Sequence, residues 1–91
     1  MAIKNPPRTG HSLPNKAVVM MFTELPEENG MLDAGIVLAY NSPTKEFIVW
    51  MYIAPPEHHH KPPYCIDGAY FHDVMDALHE YLRRIHANRA R

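Results

Sequence analysis

Residues Phe47 to Ala54 read FIVWMYIA, an unbroken apolar run of eight side chains. No other stretch limits the possible folds as much. Successive side chains of a strand point to opposite faces, so a strand with one wet face alternates apolar and polar residues. Here Phe47, Val49, Met51 and Ile53 fall on one face, and Ile48, Trp50, Tyr52 and Ala54 on the other. Both faces of this strand therefore have to be covered.

Two more runs read as strands, KAVVMMFTEL at 16–25 and DAGIVLAY at 33–40. Pro26 and Gly30 mark a loop between them. Asn41, Ser42, Pro43 and Thr44 are turn formers, with Pro43 placed to set φ in a type I turn. This turn joins the second strand to EFIVWMYIA as a hairpin. In PPEHHHKPPY, residues 55–64, two Pro-Pro pairs forbid a helix and favour extended polyproline geometry. YCI at 64–66 is expected to form a short edge strand, and Asp67 and Gly68 to start a helix. Phe71, Val74, Met75, Leu78, Leu82 and Ile85 recur at spacings of three and four, one apolar stripe. Tyr81 lies beside it, Glu80 and Arg84 form a favourable i,i+4 pair, and the helix is expected to end near Ala87 and Asn88.

The expected fold is α+β. It is a two-layer sandwich in which a three- to four-stranded antiparallel sheet packs on one C-terminal amphipathic helix. Residues 1–15, with Pro6, Pro7, Gly10 and Pro14, form a proline-rich N-terminal arm, and residues 16–91 a single α+β domain.

A helix of about twenty residues is about 30 Å long and 10 Å wide. Three strands at about 4.8 Å spacing make a sheet of about 14 Å. One helix covers one face, and the other would expose a few hundred Å², near the largest patch seen on soluble monomers. The arm, a second copy or another protein are the available covers. The arm has few large apolar residues, so the expectation is a homodimer joined through the sheet. Its interface would hold Ile48, Trp50, Tyr52, Tyr40 and Met21, with Trp50, Tyr52 and Tyr40 on a shared face. Edge-to-edge strand pairing is a second route to a dimer.

Formal net charge is −1, from nine Lys and Arg against ten Asp and Glu. The basic excess of a nucleic-acid binder is missing. The local cluster Arg83, Arg84, Arg89 and Arg91 sits where it favours the helix dipole. With a single cysteine, no internal disulfide forms. The first sixteen residues hold no apolar run of the signal-peptide kind, and no stretch has membrane-spanning length. The expected compartment is the cytoplasm.

Three constellations bear chemistry. In an extended chain His58 and His60 point the same way, and Cys65 or Asp67 can return to join them; two imidazoles and a thiolate suit zinc. That spacing matches no zinc signature, and a His run between proline pairs reads first as a solvated loop. On the helix, His72, Asp76, His79, Arg83 and His86 line a polar stripe, either a wet face or a site for a metal or anion. Cys65, just before the expected helix, is in place to have its thiol activated by the dipole, though no base is identified by spacing. GxSxG, HExxH and CxxC are absent.

These observations read as a small non-enzymatic protein–protein interaction, regulatory or inhibitor module, a homodimer that binds another protein. A metal-binding protein or metal-dependent enzyme built on His58, His60 and Cys65 is the alternative, and a nucleic-acid module the third. No membrane partner is expected.

Overall fold

The computed structural model describes residues 6–13, 16–25, 33–55 and 61–89. Its elements are β1 (Val18–Glu24), β2 (Asp33–Asn41), β3 (Glu46–Ala54), β4 (Tyr64–Phe71) and α1 (Val74–Arg89). The strands form one antiparallel sheet in the order β1-β2-β3-β4, with α1 on one face, which is the α+β architecture read from the sequence.

β3 is central and buried on both sides, as its composition demands. On the helix side Val49 joins Ile36, Leu38, Ala77 and Tyr81, with Phe47 and Met51 at the margin. On the other side Ile48, Trp50 and Tyr52 join Val37, Ala39, Val19, Ala17 and Leu13. Leu13 and Ala17 come from the N-terminal arm and the turn that follows it. The arm runs back along β1, with the Gly10 N–H donating to the Val19 carbonyl and the Val19 N–H to the His11 carbonyl, both at 2.8 Å. The reversal passes through Lys16 at φ 72° and is closed by the Leu13 N–H on the Ala17 carbonyl at 2.8 Å. It seats Leu13 in the core at 7% exposure. The chain's own arm is thus a cover for part of the second face. The arm also occupies the outer edge of β1, where Ser12 bridges to Val18.

Both outer strands carry a bulge. The β1–β2 register shifts between Val19 and Met21, and the β3–β4 register between Val49 and Met51, so that Trp50 faces both Asp67 and Gly68. A bulge inserts one unpaired residue and so changes which face the following side chains take. Cys65 and Tyr70 stand an odd number of residues apart and would take opposite faces on a regular strand. The bulge puts them opposite Tyr52 and Ile48, on one face. Asp67 takes the left-handed conformation, φ 55°. Gly68 lacks a side chain because Trp50 lies against it: a Cβ there would stand 2.5 Å from Trp50 Nε1.

Asp67 and Gly68 therefore do not start the helix; they belong to β4, which runs on through Phe71. The cap is Asp73, whose Oδ1 accepts from the Met75 N–H at 2.7 Å. The inward side of α1 also differs from the expected stripe. Ala77 and Tyr81 are enclosed, Leu78 and Ile85 flank them, and Val74, Met75 and Leu82 are exposed at 40%, 66% and 53%. Two features turn the helix this way. Ala77 is small and permits close approach, and the Tyr81 and Thr23 hydroxyls hydrogen-bond at 2.6 Å. On the outer side the Arg83 guanidinium forks onto Glu80 at 2.8 and 2.7 Å, and Arg84 Nε reaches the same carboxylate at 2.6 Å.

Leu13→Ala should destabilise the fold by about 2–3 kcal/mol, the cost of emptying a core leucine site. Urea unfolding checks this, and a change under about 0.5 kcal/mol, the size of an ordinary surface substitution, would mean the arm is not part of the core. Hydrogen bonds from Arg83, and then from Arg84, hold the Glu80 carboxyl well below its usual range, at about 2. A lowered folded-state pKa stabilises above the unfolded value of about 4.3, and that stabilisation is lost as pH falls towards 2. Glu80→Gln should cost about 0.5–1 kcal/mol at pH 7, with the difference from wild type vanishing near pH 2. Paired melts across that range test it.

Candidate functional site

The arm is narrower than the sheet face it covers, and a cleft of about 490 Å³ remains beside it. Its size lies within the usual range of ligand sites, about 300–1,000 Å³. Val19 from β1 and Trp50 and Tyr52 from β3 form the floor. Pro6, Pro7, His11, Ser12 and Leu13 line the arm side. Pro62, Pro63 and the β4 residues Tyr64, Cys65 and Tyr70 line the other. The chain's single tryptophan and three of its five tyrosines thus meet in one place.

Edge-to-face pairs order the rings. Trp50 and Tyr70 have centroids 6.2 Å apart with planes at 86°, and Phe22 and Tyr52 stand 5.5 Å apart at 80°. Phe22 gains its place because Gly35 has no side chain; a Cβ on Gly35 would run into the Phe22 ring. Trp50 and Tyr52 are 6% and 7% exposed, while Tyr70 stands out at 57%. Neither the Trp50 indole N–H nor the Tyr52 hydroxyl has a hydrogen-bond partner among the described residues. No described side-chain N or O is both fully enclosed and unpartnered, so neither polar tip is fully enclosed. Among the described residues the rest of the lining is mostly apolar, with His11, Ser12 and the tyrosine hydroxyls as its polar groups, and none of them is Lys, Arg, Asp or Glu.

Cys65 lies in β4 and α1 starts at Val74, so the helix dipole expected to activate the thiol does not act on it. Burial instead pushes the Cys65 thiol up to about 11. Burial also raises the Tyr52 phenol, and the neighbouring Cys65 adds to that shift. Both groups are neutral at physiological pH, where a nucleophile needs its anion.

The interface residues expected from the sequence are divided by the fold. Ile48, Trp50 and Tyr52 lie on the arm side and are buried within the single chain. Tyr40 is on the opposite face, paired with Phe47 at a ring distance of 4.8 Å, and so does not share a face with Trp50 and Tyr52. Met21 is 42% exposed beside the β1 bulge. His58 and His60, expected as metal ligands with Cys65, lie outside the described residues. Among the described residues no three His, Cys, Asp or Glu are grouped to hold a metal ion. His72 precedes the helix, and His72, Asp76, His79 and Arg83 are all exposed, with Arg83 engaged by Glu80. No helix among the described residues is long and apolar enough to cross a membrane.

The sequence reading did not single out Tyr70, Tyr64 or the two proline pairs as a site. The pairs Pro6-Pro7 and Pro62-Pro63 were visible, but their convergence on Trp50 depends on the fold. Compared with known proteins, the chain matches no family model, no curated protein and no solved structure.

A thiol with a pKa of about 11 is almost wholly protonated at neutral pH. Alkylation of Cys65 by iodoacetamide at pH 7.5 should run at least tenfold slower than for a free thiol of pKa about 8.5. The rate should climb through about pH 11. A fast reaction that levels off below pH 9 would restore Cys65 as a reactive group.

Proposed function

We propose that this chain is a non-enzymatic interaction protein that binds another protein through the cleft between its N-terminal arm and β4. One observation carries the reading. Two nearly buried aromatic residues, Trp50 and Tyr52, have polar tips without partners among the described residues and line a mostly apolar cleft. Protein interfaces favour such side chains, whose broad apolar rings end in one hydrogen-bonding atom. Tyr70 adds an exposed ring at the mouth, suited to close over a ligand.

The arm covers part of the sheet face, which weakens the case for self-association through it. Edge pairing is disfavoured on both sides. The arm occupies β1, and the left-handed Asp67 interrupts the ladder of β4. The expected partner is therefore a different protein. A cytoplasmic setting is supported by the lone cysteine, carried as a free thiol.

A random-peptide display library selected on the protein should yield cleft binders. Those peptides should bind Tyr70→Ala at least tenfold more weakly, with the thermal midpoint within a few degrees of wild type because Tyr70 is mostly exposed. Absence of enrichment, or equal binding to both forms, would overturn the assignment.

A further inference from the structure

We infer that the N-terminal arm is exchanged between two copies of this chain, so that each copy's arm pairs with β1 of the other and seats its Leu13 in the other's core. Exchange does not depend on the cleft being a binding site, but it makes a second copy the source of the cleft's arm side.

The contacts the arm already makes define what can occupy its place. Within one chain the arm meets β1 as a separate strand would. Ser12 bridges to Val18, the Gly10 N–H donates to the Val19 carbonyl, and the Val19 N–H donates to the His11 carbonyl. The Thr9 hydroxyl donates to the Met20 carbonyl at 3.0 Å, and Leu13 completes the attachment from inside the core. The arm of a second copy brings the same groups in the same order, so exchange remakes each of these contacts between chains.

The turn sets the balance between the two arrangements. Only residues 14–16 separate Leu13 from Ala17, and both of those lie in the core. Reversal in so short a span holds Lys16 at φ 72°, a left-handed conformation that strains any residue with a Cβ. In an exchanged pair the chain runs on without reversing, and Lys16 returns to an extended conformation. The bond lost with the turn is the one from the Lys16 N–H to the Leu13 carbonyl. Lys16 is exposed, so water replaces that bond at little net loss. Short hinges under strain favour exchange for this reason. Lys45 has the same backbone conformation, φ 56°, in the turn between β2 and β3, but there the strands pair along their whole length and keep the reversal closed. Among the described residues the arm has a single bridge to β1.

Within one chain the arm acts at an effective concentration of about a millimolar, so the test unfolds the full chain in urea and refolds it at about 1 mM under reducing conditions. Size exclusion with light scattering should then show a dimer peak beside the monomer. In Lys16→Gly, where glycine takes the left-handed conformation freely, the dimer formation constant should fall about fivefold or more. Ser12→Cys with Val18→Cys in a Cys65→Ser chain reports which arm is paired. The isolated dimer, diluted and then oxidised, should run as a covalent dimer on a denaturing gel, and the isolated monomer as a single chain. A refolded chain that is wholly monomeric overturns the inference. So does a dimer whose disulfides form within chains, or a dimer constant that Lys16→Gly leaves unchanged. If the cysteine chain fails to fold, the comparison of the unmodified chain with Lys16→Gly still decides.

Discussion

The double burial of β3 is the constraint on which the rest of the molecule depends. A central strand with apolar side chains on both faces cannot rest on one helix. This short chain meets the demand with two unequal covers. The helix covers one face, with Ala77 allowing close approach and the Tyr81–Thr23 hydrogen bond fixing its rotation. The arm covers the other with little more than Leu13, Ala17 and a few backbone hydrogen bonds to β1. The inequality of the covers has a geometric result. The arm sits towards β1, so the ground between it and β4 is left as a cleft with Trp50 and Tyr52 at its base.

Much of the fold was legible from residue pattern alone. Alternation within FIVWMYIA assigned each β3 side chain to the correct face, and turn chemistry at Asn41 to Thr44 joined β2 to β3. The rest was obscured for physical reasons. Asp67-Gly68 has the composition of a helix start, but here the glycine makes room for an indole and the aspartate takes a left-handed bulge. Asp73 carries the true cap, and the apolar residues around it hid the boundary. The helix stripe was correct in period but rotated, because hydrophobicity ranks Met75 and Leu82 above Ala77, whereas close packing favours the smaller residue.

The site was half legible. Trp50 and Tyr52 were evident from β3, and Tyr40 was misplaced because its strand's register was not known in advance. The arm was underrated as a cover because its large apolar residues were counted without its backbone hydrogen bonds, which hold the few it has against the sheet. Tyr70 could not be assigned a face at all, since parity along β4 holds only if no residue is unpaired.

That last point reaches beyond assignment. The bulge at Asp67–Gly68 brings Cys65 and Tyr70 to one face. The cleft therefore depends on the number of residues between them as well as on their identity. Deleting Asp67 would leave every cleft side chain chemically intact, yet one end of β4 would have to turn over, carrying either Cys65 or Tyr70 to the helix side. For this strand a change of length by one residue amounts to a rearrangement of the recognition surface, whereas the same change in a loop would amount to very little.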